Sequence, residues 1–297
     1  MAALLSFPNW VDATFYPVEF SDSVGDWLSE LPLTNLRNRR FSALARSASA
    51  DPEDTRFLVD LGTLRSVKSM AIPRSNISRS GTVRVRLYQT DPTAGSPTAV
   101  GDTGEIDYWR AIYPWGSLPF ESPSWLDGKL TAEELAGYPM PWVYTFATPV
   151  LARYALWEFA DGENDDGHVD VPRIYMGPGW EPVTGIAADG ASLTWEDPSL
   201  AEQSLGSVLF FDERPGFRVM RFSIRCMDAG EAFGTASELI RQLKTVRELF
   251  FSLDTSDDTN LHRWSFPATL RQLSPIEWVP AAPHLQSVNF ELREVVG

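Results

Sequence analysis

The sequence predicts a mainly β protein in two units, the second a β-rich α+β unit with one main helix. Three observations lead there. At 297 residues the chain has room for two domains of about 150 residues each. Its apolar residues recur with period 2 in several separate runs, the spacing of half-buried strands. Its 22 prolines and 20 glycines are spread along the chain and favour many short elements over long helices.

Composition narrows the function classes. Hydrophobic residues make up 43% and charged residues 22%, a globular mixture able to bury a full core without staples. Forty acidic against 25 basic residues give a net charge of −15, which argues against a protein that coats nucleic acid. Cys226, the single cysteine, cannot form an intrachain disulfide and reads as a buried structural thiol. The start, Met1-Ala2-Ala3-Leu4-Leu5, lacks a basic segment, and Pro8 and Asn9 interrupt it, so no targeting signal is expected. No run approaches 18 apolar residues, so no transmembrane segment is expected.

Residues 1–50 read as an extended N-terminal arm. Trp10, Phe15, Tyr16, Val18 and Phe20 are apolar, while Pro8 and Pro17 break any helix. Arg37, Arg39 and Arg40 make this arm locally basic. They could grip an acidic partner, or sit in a solvated turn.

The next unit spans 51–180. Phe57, Val59 and Leu61 alternate onto one face, with Gly62 expected as a stop, and Val67, Met70 and Ile72 continue the pattern. Val83, Val85 and Leu87 point inward against outward Arg84, Arg86 and Tyr88. Residues 92–150 read as a long insertion, and loops of that length are usually functional or interfacial. Within it Thr131–Gly137 has a Thr N-cap, a Glu three residues later and a Gly stop, the marks of a short helix. Tyr154, Leu156 and Phe159, the acidic turn Asp161–Gly167 and then His168–Gly177 read as a hairpin.

The last unit spans 181–297. Strands are expected over Ser192–Trp195, Ser207–Phe211 and Phe217–Arg225. A helix near 229–247 follows from Asp228 as N-cap, Glu231 as its box partner, and an apolar stripe at Leu239, Ile240, Leu243 and Val246. Leu249–Leu253 reads as a buried strand and Ser287–Val295 as a closing strand.

The chain has no Gly-x-Ser-x-Gly, Walker loop or Gly-x-Gly-x-x-Gly, and His168, His262 and His284 form no His-Glu-x-x-His pair. No catalytic residue and no cofactor is therefore expected. Asp161, Glu163, Asp165 and Asp166 are weak calcium candidates. Asp166 stands where an EF-hand needs glycine, and Pro172 where it needs the bidentate Glu, so a solvated turn is the simpler reading. Trp109, Trp115 and Trp125 lie in the Pro-rich insertion and are candidates for an interface or a stacked ligand.

Two resemblances carry the reading further. Phe57–Gly62, Val67–Ile72, Ser75-Asn76-Ile77-Ser78 and Gly81–Arg86 resemble the opening of a discoidin-like (galactose-binding-like) jelly-roll β-sandwich, and Arg153–Phe159 through Gly177 is similar to its end. The whole chain resembles tail-tip or baseplate proteins of long-tailed bacteriophages. Leu31–Leu36, Met176–Pro182, Phe210–Pro215 and Asn289–Glu294 carry that resemblance. It implies a non-enzymatic structural protein of the virion, made in the host cytoplasm. Its partners would be other tail proteins, with multiple copies around the tail axis. The resemblance also implies that the last unit is similar to the β-sandwich-plus-helix units of tail tubes. The alternative is a carbohydrate-binding module that holds host surface glycans on its loops. A polysaccharide-cleaving enzyme is disfavoured by the lack of repeats.

Overall fold

The computed structural model describes residues 3–12, 16–95, 97–135, 137–186, 191–203, 207–279 and 282–296. Phe15 and Ala136, and the side chain of His284, fall outside these described residues. The strands are Leu4–Ser6 (β1), Glu19–Ser21 (β2), Ala45–Arg46 (β3), Phe57–Ile72 (β4), Thr82–Tyr88 (β5), Gly101–Asp102 (β6), Ile106–Asp107 (β7), Trp142–Ala160 (β8), Asp170–Val171 (β9) and Tyr175–Gly177 (β10). They continue as Ser192–Glu196 (β11), Leu200–Gln203 (β12), Leu209–Asp212 (β13), Phe217–Met227 (β14), Glu248–Ser252 (β15), Ser265–Leu270 (β16), Ile276–Val279 (β17) and Ala282–Glu294 (β18). The chain is mainly β, a sandwich with a long insertion followed by a β-rich α+β unit, as the sequence predicts.

The sandwich is built on one long ribbon. β4 and β8 pair antiparallel over most of their length, with register shifts between Asp60 and Arg65 and between Val67 and Ser69. The shifts bend the ribbon, so Phe57, Val59 and Leu61 before the bend and Val67, Met70 and Ile72 after it enter one core. Gly62 is a hinge of this bend and not a stop. Its φ of 74° lies in the left-handed region, and the strand runs on to Ile72. β5 pairs on the other side of β8 and carries the short strands β6 and β7 beyond it, placing Val83, Val85 and Leu87 in the core. Arg84 and Arg86 point outward to Asp102 and Glu158.

Three expectations change here. β8 and β10 do not form a hairpin, because both flank β4 and the acidic turn crosses between them. The irregular insertion ends before Trp142, which already opens β8. The N-terminal segment is not a loose arm. Leu4 and Leu5 are fully buried in β1, which pairs with β15 of the second unit. Asn9 ties the segment to the sandwich by donating to Ile174 O and accepting from the Met176 amide.

The second sheet runs β1-β15-β16-β18-β14-β11, with β17 on β18. One helix, α2, covers it through consecutive stretches Ala229–Glu231, a wider π-turn Ala232–Ala236, and Ser237–Leu243. Asp228 caps it by accepting from the Glu231 amide at 2.8 Å. Glu231 does not close the box, because its carboxylate accepts from Trp180 Nε1 and the Val183 amide instead. The helix ends at Leu243, where Lys244 turns to positive φ, so Leu239 and Leu243 are buried while Val246 is exposed. Cys226 is exposed, at positive φ where β14 and β18 slip register, and is not a core thiol.

Candidate functional site

One departure from an ordinary surface is the connection between β11 and β14. These two strands pair edge to edge, with Glu196 opposite Phe217. Beyond them β12 and β13 continue as a two-stranded ribbon that pairs with no other strand among the described residues. Register places Leu200, Glu202, Phe210 and Asp212 on one face and Ala201, Gln203, Leu209 and Phe211 on the other. Every residue of both strands is exposed, Phe210 at 62% and Phe211 at 66%. A lone hairpin is marginal in water, and burying each large apolar side chain is worth roughly 1.5–3 kcal/mol. The ribbon therefore presents unspent apolar area on both faces. Sequence reading placed a strand here but not its exposure. The adjacent pair Phe210-Phe211, which must point to opposite faces, was the one available signal.

The tryptophan candidates divide. Trp109 packs on the sandwich core and donates from Nε1 to Ile77 O at 2.9 Å. Trp115 is 86% exposed. Trp125 meets Phe120 edge to face at 5.1 Å. Trp115 and Trp125 line a shallow hollow of about 190 Å³ with Tyr113, Leu118 and Leu126. The loop that holds them is anchored nearby. Arg79 donates to Asp127 and to Lys129 O, and Lys129 donates to Arg79 O. Thr131 and Glu134 form a complete capping box on the short helix Ala132–Leu135, or α1.

The arginine candidates also divide. Arg39 serves its own chain, donating to Val246 O at 2.8 Å beside Asp12 and Glu248. Arg37 and Arg40 lie on the surface, and neither has a carboxylate within ion-pair distance among the described residues. Their backbones are used, the Arg37 carbonyl accepting from Arg173 Nη1 and the Arg40 amide donating to Asn38 Oδ1.

The calcium candidates do not converge. Asp161 is 2% exposed and accepts from the Ser78 amide and hydroxyl and from Asn164. Asp166 accepts from Asn76, while Glu163 and Asp165 face solvent. Among the described residues no three His, Cys, Asp or Glu side chains gather as a metal group. Asp161 and Asp166 instead pin the turn to the Ser75–Ser78 segment.

No family model and no curated protein matches this chain. Solved structures similar to it include a Streptococcus pneumoniae fucose binding module, at 13% identity and TM-score 0.36, over 58% of this chain and 95% of that one. Another is CBM32-1 from a family 31 glycoside hydrolase of Clostridium perfringens, at 13% identity and TM-score 0.33, over 54% of this chain and 93% of that one. A third is the family 32 CBM from C. perfringens NanJ in complex with galactose, at 12% identity and TM-score 0.35, over 59% and 98%. At these TM-scores the likeness carries no argument about what this chain binds. No helix among the described residues is long and apolar enough to cross a membrane.

Proposed function

We propose that this chain is a non-enzymatic assembly component that docks on a neighbouring protein through the β12–β13 ribbon. On the resemblance read in the sequence, that role would lie in a bacteriophage tail tip or baseplate. The exposure of Leu200, Leu209, Phe210 and Phe211 on both faces of one projecting ribbon carries the reading. Such a two-sided apolar element is stable when a partner encloses it, and it has no use in a lone subunit. The test is a Phe210→Ser, Phe211→Ser double variant. The isolated chain should melt at the wild-type temperature, because neither ring is buried. Its incorporation into assembled particles should fall sharply. Uptake at the wild-type level would overturn the reading.

A second reading rests on a different observation, the Trp115, Phe120 and Trp125 cluster on the insertion. The exposed rings of Trp115 and Phe120, beside the half-buried Trp125, suit the C–H faces of sugars, so the same subunit would touch host glycans there. A glycan array with no hit for the intact chain, or hits unchanged in Trp115→Ala, would remove it.

A further inference from the structure

A groove of about 330 Å³ opens where the sandwich meets the second sheet. Phe41, Pro73 and Tyr138 line it from the first unit, and Trp195, Arg218 and Pro267 from the second. The rings of Tyr138 and Trp195 meet edge to face, their centroids 5.5 Å apart. Trp195 remains 52% exposed, so part of its face is open to a ligand.

Two arginines border this groove, and only one is already engaged. Arg218 is held between the rings of Tyr138 and Phe266, with its guanidinium at 5.4 and 4.5 Å. It donates to the Glu294 carboxylate and to the carbonyls of His262 and Arg263, which engages four of its five N–H donors. Arg74 lies over the Phe41 ring at 4.7 Å. Its guanidinium forms no ion pair and no hydrogen bond among the described residues, and Glu294, which shares the groove, is taken by Arg218. Arg74 is exposed at the rim of the groove, and the partial cover of its stem and guanidinium by the groove wall lowers its pKa from the ordinary arginine value. In a chain of net charge −15, an accessible cation with no carboxylate partner among the described residues, set in the same groove as the open Trp195 face, is the feature to explain.

We propose that this groove binds an acidic saccharide unit, a sugar ring that carries a carboxylate. The planar guanidinium of Arg74 takes the carboxylate through two parallel hydrogen bonds. The C–H face of the ring lies on the Trp195 indole, and the hydroxyls turn to the open side of the groove. An amphipathic ring suits this site better than a wholly apolar one, since one wall is aromatic and the other side is water. The inference goes beyond the assembly reading and does not depend on it. It also involves none of the residues of the Trp115 loop.

The test is titration of the full chain with D-glucuronate, N-acetylneuraminate, D-glucose and benzoate, followed by calorimetry and ligand-observed NMR. At least one acidic sugar should saturate, and glucose should bind at least about tenfold more weakly, as expected for loss of a charge-assisted contact. Arg74→Gln should cost a similar factor and Trp195→Ala several-fold, while Trp115→Ala should change nothing. Both groove residues have exposed surface, and unchanged melting temperatures would show that the variants fold. Failure of both acidic sugars to saturate, equal binding of glucose or benzoate, or an indifferent Arg74→Gln would each overturn the proposal. Loss of particle uptake in the Phe210, Phe211 variant bears only on the assembly reading.

Discussion

Arg173 of the sandwich and Glu248 of β15 form a buried ion pair across the junction of the two units, with Arg173 Nη2 3.1 Å from Glu248 Oε2. Tyr175 donates to the same oxygen at 3.1 Å, and both charged side chains are almost wholly out of water. Removing one partner leaves the other charge buried and uncompensated, which typically costs about 3–5 kcal/mol. Glu248→Ala should therefore lower unfolding stability by about that amount in a urea titration. A combined Arg173→Met, Glu248→Leu variant should recover most of the loss, because no charge is then stranded. A double variant as unstable as the single one would show that the pair matters for another reason.

His262 sets a pH dependence. It is 2% exposed, and neither ring nitrogen has a hydrogen-bond partner. Burial first, and then Arg263 and Arg218, lower its pKa from 6.5 to about 4. The unfolded chain binds this proton more tightly than the folded one, so stability rises with pH across that interval. Nothing is lost above about pH 6.5, and the penalty grows toward about 3 kcal/mol as pH falls to about 4. His262→Leu should remove this slope. The measurement is the difference in urea midpoint between wild type and variant at several pH values. That difference cancels carboxylates such as Asp60 and Asp102, whose lowered pKa values act mainly below this window.

Gly62 is the position where the β4 bend admits no side chain. A Cβ built there would lie 2.6 Å from Pro17 O, and φ is already positive at 74°. The Gly62 amide also donates to Asp60 Oδ1 at 2.7 Å, and the Asp60 carboxylate takes both arms of Arg153. Gly62→Ala should cost about 1–3 kcal/mol through backbone strain and displacement of the β2 approach. Chemical denaturation reads this directly. A neutral substitution would mean that the strand can bend elsewhere.

What could be read in the sequence follows from how local each signal is. Val83, Val85 and Leu87 were legible because one face of β5 is buried and period 2 records that without reference to any partner. Asp228 and the Thr131–Glu134 box were legible because a cap is complete within four residues. Strand partners were not legible. β8 has the same alternation whether it pairs with β4 and β5 or turns back on β10, and a contact between distant segments decides it. Ser207–Phe211 reads as a strand, but its apolar character does not state whether those side chains face a core or water. The groove was out of reach because Phe41, Arg74, Tyr138 and Trp195 come from four separate segments.

The N-terminal segment gives the last test. Its short apolar runs, broken by prolines, suggest an arm that waits for a neighbouring subunit. Leu5 instead sits fully buried in the core of the second sheet, opposite Phe251 and beside Trp180 of its own chain. Leu5→Ala should then destabilise the isolated chain by about 2–5 kcal/mol, the usual cost of a large-to-small change at a closed site. An arm that orders only on a neighbour would give almost no effect in dilute solution and a loss that grows with protein concentration. Urea titrations at two concentrations at least a hundredfold apart separate these cases. A concentration-independent loss is expected, because every partner of Leu5 lies within the same chain.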